Sequence, residues 1–155
     1  MTTRQLLIIA HAPSSNTQKL LDALLKATQH PDIEQVDTRW ISPLQAEPED
    51  VLAADAIILG TTENLGYMSG ALKDFFDRCY CPVLEKKQGL PCALYIRAGS
   101  DGTGTRRAVE SIVSGLRWKW IQEPLILQGE WQDHFLQQVE ELGLSVAAGM
   151  EAGIY

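Results

Sequence analysis

Three short stretches of this chain collect residues suited to holding an anion or a flat polar ring: HAPSSNT at 11–17, GTTENLGY at 60–67 and AGSDGTGT at 98–105. In the first, Ser14, Ser15 and Thr17 supply hydroxyls, Asn16 supplies an amide, and a helix start supplies backbone N–H groups without partners. Such a cup binds a phosphate without Lys or Arg, because a helix N-terminus carries partial positive charge. The same residue types cap helices with no ligand at all, so this loop alone leaves both roles open. In the second stretch, Gly60 and Gly66 permit close backbone approach, while Asn64, Leu65 and Tyr67 offer contacts to a planar ring. An ordinary surface loop has a similar composition. In the third, Gly99, Gly102 and Gly104 frame Ser100, Asp101 and two threonines, and the backbone donors there suit the remaining side of a ligand. A glycine-rich turn without a ligand reads the same way. The glycine spacing is not GxGxxG, so a dinucleotide-binding fingerprint is unsupported.

For these loops to meet, the elements before and after them must deliver all three to one edge. QLLIIA at 5–10 is an apolar run too short for a helix and reads as a buried strand. From Ser15, the spacing of Leu20, Leu24 and Ala27 predicts a helix that His30-Pro31 stops. IEQVDTRW at 33–40 is more polar and suits an edge strand. Pro48 among Glu47, Glu49 and Asp50 starts a short helix to about Ala53, and DAIILG at 55–60 follows as a central strand. Met68, Leu72, Phe75, Phe76 and Cys79 form the apolar face of a third helix, with Lys73, Asp74, Asp77 and Arg78 on its solvated side. PCALYIRAG at 91–99 is a further strand, TRRAVESIVSGL at 105–116 a helix, and WKWIQEPLILQG at 118–129 a strand interrupted by Pro124. Residues 131–148, with Trp131, Phe135, Val139 and Leu142 on one face, make the last helix.

This alternation predicts an α/β fold, a single domain over residues 1–155, with a five-stranded parallel sheet covered by helices on both faces. Right-handed crossovers permit the order 2-1-3-4-5, which gathers ligands at the carboxyl ends of strands one, three and four.

Composition narrows the partners. A formal charge of −7 disfavours nucleic acid and anionic membrane surfaces, which require clustered Lys and Arg. The longest apolar runs fall well short of a membrane span and no signal-peptide core follows Met-Thr-Thr-Arg, so we expect no membrane role and a cytoplasmic protein. Cys79, Cys81 and Cys92 match no common zinc spacing and read as reduced structural thiols. His11, His30 and His134 are scattered, so no metal is expected and no side chain is assigned a catalytic role. Arg97, Arg106 and Arg107 could meet a nucleotide phosphate near the third loop, yet they read more simply as solvated. Trp118 and Trp120 share one strand face and suit either core packing or a homodimer contact.

HAPSSNT after the first strand and GTTENLGYMSGALKDFFDR after the third resemble the FMN-binding flavodoxin-like family. Its NAD(P)H-dependent FMN and quinone reductases carry a loop of the kind GTPxYxGxMSGxLKxFxDR. Gly60, Gly66, Met68, Ser69, Gly70, Leu72, Lys73, Phe75, Asp77 and Arg78 fit it. The resemblance implies a flavodoxin-like fold in which Ser14, Ser15, Asn16 and Thr17 bind the FMN phosphate. It further implies that Thr62, Glu63, Asn64, Leu65, Gly66 and Tyr67 flank the isoalloxazine and that Gly99, Ser100, Asp101 and Gly102 close the site near its polar edge. Thr62 stands where the reductases often have proline, Glu63 where they often have threonine, and Asn64 where an aromatic ring often stacks. The implied activity is transfer of reducing equivalents from NAD(P)H through FMN to a small acceptor such as a quinone or free flavin. The alternative is a one-electron carrier of the flavodoxin type that docks on a partner redox protein. A phosphorylatable receiver domain shares the fold but needs acidic residues where His11-Ala12-Pro13 and Gly60-Thr61-Thr62 stand.

Overall fold

The computed structural model describes residues 2–155. In chain order the elements are β1 (Arg4–Ala10), α1 (Ser15–Thr28), β2 (Val36–Ile41), α2 (Pro48–Leu52), β3 (Ala56–Asn64) and β4 (Tyr67–Met68). They continue with α3 (Gly70–Val83), β5 (Pro91–Ala98), α4 (Thr103–Leu116), β6 (Lys119–Trp120), β7 (Leu125–Gln128) and α5 (His134–Glu151). Every strand pair is parallel except β3–β4. The order β2-β1-β3-β5-β6 places β1, β3 and β5 side by side at the centre.

The three central strands are nearly continuous apolar runs because both faces of a parallel sheet are covered. Period-two alternation sends Leu7, Ile9, Ile57, Leu59, Leu94 and Ile96 to the face packed by α2, α3 and α4. Leu6, Ile8, Ile58, Ala93 and Tyr95 go to the opposite face, under α1 and α5. Phe75 and Leu72 of α3 are fully buried.

Two expectations need correction. The sheet has seven strands, not five. Residues 118–129 do not form one strand: β6 and β7 each pair with β5, with Pro124, which has no N–H to give to a ladder, just before β7. The second correction concerns the loop at 60–67. Instead of ending at Gly60, β3 runs on to Asn64 and turns back as β4, with Glu63 opposite Met68 and Asn64 opposite Tyr67. The turn residues Leu65 and Gly66 both have positive φ, 53° and 77°, as a two-residue hairpin turn that follows the sheet's twist requires.

Trp118 is buried in the core and Trp120 packs against it, which gives both tryptophans an intramolecular role. Cys79, Cys81 and Cys92 are free thiols, the first and last buried. Among the described residues no helix is long and apolar enough to cross a membrane.

Candidate functional site at the carboxyl edge of the sheet

The register Ala10↔Gly60↔Tyr95 aligns the three parallel strands, and past the end of β1 at Ala10 its neighbours run on to Asn64 and Ala98, so all three loops leave by the same edge of the sheet. The amide of His11 donates to Gly60 O at 3.0 Å, which ties the first loop to the second. Gly60 must be glycine, because a Cβ there would collide with the ring of the buried Tyr95. The second and third loops meet through Gly104, where a Cβ would run into the carbonyl oxygen of Gly66.

At the first loop, Ser14 and Thr17 interlock as a capping box. Thr17 N donates to Ser14 Oγ at 3.2 Å and Ser14 N donates to Thr17 Oγ1 at 2.8 Å. These two hydroxyls therefore organise the helix start more than they face outward. Ser15 is exposed and Asn16 half-buried, and their amides lie in the first turn, where no intrahelical acceptor exists. No acidic residue occupies that turn, so nothing opposes an anion at the α1 terminus.

At the second loop, Thr61 Oγ1 accepts from the buried Ser69 N at 2.9 Å, and Ser69 Oγ caps α3 by accepting from Leu72 N at 3.1 Å. This fixes the hairpin against its following helix. Thr62 Oγ1 donates to Asn64 Oδ1 at 2.8 Å, while Leu65 and Tyr67 stand exposed at the tip.

The third loop differs from expectation. Two of its backbone donors are engaged from the second loop: Ser100 N donates to Glu63 Oε1 at 2.7 Å and Gly102 N to Glu63 Oε2 at 2.8 Å. Asp101 is also engaged locally, accepting from Thr103 N at 3.1 Å and from Thr103 Oγ1 at 2.9 Å. Those two bonds hold its carboxyl below the ordinary carboxylate range. Gly99 and the Ser100 side chain remain exposed to solvent.

Three residues bear on the site that sequence reasoning left aside. Trp40, at the end of β2, donates its indole N–H to Ala10 O at 3.0 Å and keeps its ring partly exposed beside the first loop. An aromatic ending a strand at this edge was the available signal. Arg78 is not simply solvated: it pairs with Asp74 at 2.8 Å and donates to Ala46 O and Pro43 O, both at 2.6 Å, fastening α3 to the segment before α2. His11 follows β1 with its Nδ1 buried and without a partner among the described residues, and burial lowers its pKa.

Two of the three arginines near the third loop are committed elsewhere, and Arg107 is exposed. Arg97 donates to Ala98 O and Leu127 O and lies 5.0 Å from the centre of the Phe135 ring. Arg106 pairs with Glu110 and Glu123. A groove of about 570 Å³ between α1 and α5, lined by residues such as Ala27, His30, Gln137 and Leu144, lies away from the three loops. Among the described residues, no strand end or helix N-terminus converges on that groove, in contrast to the three loops.

Solved structures share this architecture. A flavodoxin from the domain Archaea superposes with a TM-score of 0.78 at 19% identity, covering 93% of this chain and 96% of its own. A flavodoxin, WrbA-like protein from Agrobacterium tumefaciens gives 0.74 at 19% identity, covering 94% and 96%. In sequence, a flavodoxin of Aquifex aeolicus (strain VF5) is 27% identical over 112 residues, 72% of this chain but only 60% of that relative's length. The family described as NADPH-dependent FMN reductase matches residues 3–131, from β1 to the approach of α5 and through all three loops. A terminus that suits a phosphate, a hairpin that can wall a ring and a match of that extent lead to one conclusion: the chain belongs to the NADPH-dependent FMN reductase family, among the flavodoxin-like FMN-binding proteins.

Proposed function

We propose that this protein is an FMN-dependent oxidoreductase that draws reducing equivalents from NADH or NADPH and passes them to a small acceptor such as a quinone or free flavin. The observation that carries the proposal is the convergence of three loops on an α1 N-terminus free of acidic residues, in a chain of the reductase family. The residues fit the cofactor at its phosphate end. The amides and side chains of Ser15 and Asn16 would grip the phosphate, with Ser14 and Thr17 fixing the turn that presents them. Thr62, Asn64, Leu65, Gly66 and Tyr67 would flank the ring, with Gly99 and Ser100 closing its far side.

Bound FMN supplies acceptance and release of hydride or single electrons at its ring. The protein orients it and tunes it. Glu63 sets a carboxylate in the seam between the second and third loops, where negative charge opposes added electron density nearby. No side chain is needed as nucleophile or general acid. A cytoplasmic setting suits the three free thiols, which persist where the milieu is reducing.

A second reading, a one-electron carrier, draws support from the exposed Leu65 and Tyr67 at the hairpin tip and from the net charge of −7, features that a partner redox protein could dock upon. Titration of apoprotein with FMN, followed by anaerobic addition of NADH or NADPH, separates the two. Saturable quenching of flavin fluorescence and then rapid bleaching of flavin absorption is the result expected of the reductase. Quenching without bleaching would favour the carrier, and absence of quenching would overturn the site.

A further inference from the structure

Glu63 belongs to β3, yet both its carboxylate oxygens are occupied 37 and 39 residues away, on the amides of Ser100 and Gly102. The bond lengths, 2.7 and 2.8 Å, are those of charge-assisted contacts. Gly102 is the residue preceding α4, and it has no side chain with which to cap that helix. Asp101 cannot replace Glu63, because its own carboxylate holds Thr103. The seam is further closed by the tight approach of Gly104 to Gly66.

From this geometry we infer that Glu63 is a positioning residue that withdraws the Ser100 and Gly102 amides from ligand binding, so that the ligand is held mainly through its phosphate. The inference rests on the flavin reading of the site. Its consequence is a selectivity: the intact protein discriminates strongly between a flavin that carries a phosphate and one that does not. While Glu63 spans the seam, the polar edge of a ring finds neither Ser100 N nor Gly102 N available. Releasing them restores two donors.

Riboflavin, which is neutral and lacks the phosphate, isolates the effect, since loss of the Glu63 charge should matter far less for it than for FMN. Dissociation constants for riboflavin and FMN, read by fluorescence quenching, would be compared in wild type, Glu63→Gln and Glu63→Ala. Amide hydrogen exchange at Ser100 and Gly102 would be followed in the same samples, and thermal melts would confirm folding. Glutamine keeps one acceptor oxygen and alanine none, so riboflavin binding should tighten in the order wild type, Glu63→Gln, Glu63→Ala. The alanine variant should gain about tenfold, the effect of one to two neutral hydrogen bonds, and the FMN-to-riboflavin ratio should narrow. Exchange at both amides should quicken in the same order.

Riboflavin binding that is unchanged or weaker in folded variants with freed amides would overturn the inference and leave Glu63 as a brace. Should Glu63→Ala fail to fold, the Gln variant decides alone, with a smaller gain expected. A wild-type protein that quenches neither flavin would instead refute the flavin reading itself, and the inference with it.

Discussion

At Ser15 the two demands on a helix start come apart. A helix N-terminus welcomes any negative charge, whether from a side chain or from a ligand, and the first turn of α1 carries none of its own. Ser15→Asp should therefore leave stability unchanged or raise it by about 0.3–1 kcal/mol, while lowering FMN affinity at least tenfold through repulsion of the phosphate. A thermal melt and a flavin titration on one sample check both signs. Ser14 behaves oppositely: its side chain caps the turn, so Ser14→Ala should cost about 1 kcal/mol of stability by urea unfolding. Glu63→Gln should raise the midpoint potential of bound flavin, on the order of tens of millivolts, because a negative charge beside the site is removed; an unchanged potential would place Glu63 too far from the ring to matter. None of these roles could be divided from sequence. HAPSSNT offered four polar residues of equal standing, and only the interlock of Ser14 with Thr17 shows which pair is spent on the helix start.

Between elements, the decisive contacts join segments that lie far apart along the chain. The close approach of α4 to the β3–β4 hairpin requires glycine at position 104. Gly104→Ala should destabilise the fold by about 1–3 kcal/mol, since backbone rather than a flexible side chain must yield, and should weaken flavin binding as the hairpin shifts. Urea midpoints and the same fluorescence titration provide the check. Helices and central strands were legible, because Leu20 and Leu24 in α1, and Leu72, Phe75 and Cys79 in α3, repeat at helical spacing and LLIIA and AIILG are buried on both faces. The hairpin was not. A leucine at positive φ is an uncommon turn residue, and Asn64-Leu65-Gly66 hides a turn that Asn-Gly would have announced. The reach of Glu63 and the brackets of Arg78 were equally silent, because both depend on a register that no local pattern encodes.

Over the whole molecule, burial sets the chemistry of the thiols. Desolvation pushes the Cys79 thiol up to about 11 from an ordinary 9.0, and pushes Cys92 and Tyr95 higher still. The unfolded chain thus ionises these groups first. Stability they contribute is complete below pH about 9 and declines as pH rises toward the folded values, so the urea midpoint should fall between about pH 9 and about pH 10.5. At about pH 8 a disulfide exchange reagent should find Cys81 at once and the other two only after denaturation. The break before β7 has a further effect. Along that side of the sheet the outermost backbone comes in pieces of two and four residues, and the opposite border, β2, carries Asp37 and Arg39. Neither side offers a long, flat, uncharged row of amides and carbonyls on which another chain could lay a strand. A concentrated solution of this protein should therefore stay clear of fibrils, guarded by a proline and a pair of charges at its outermost strands.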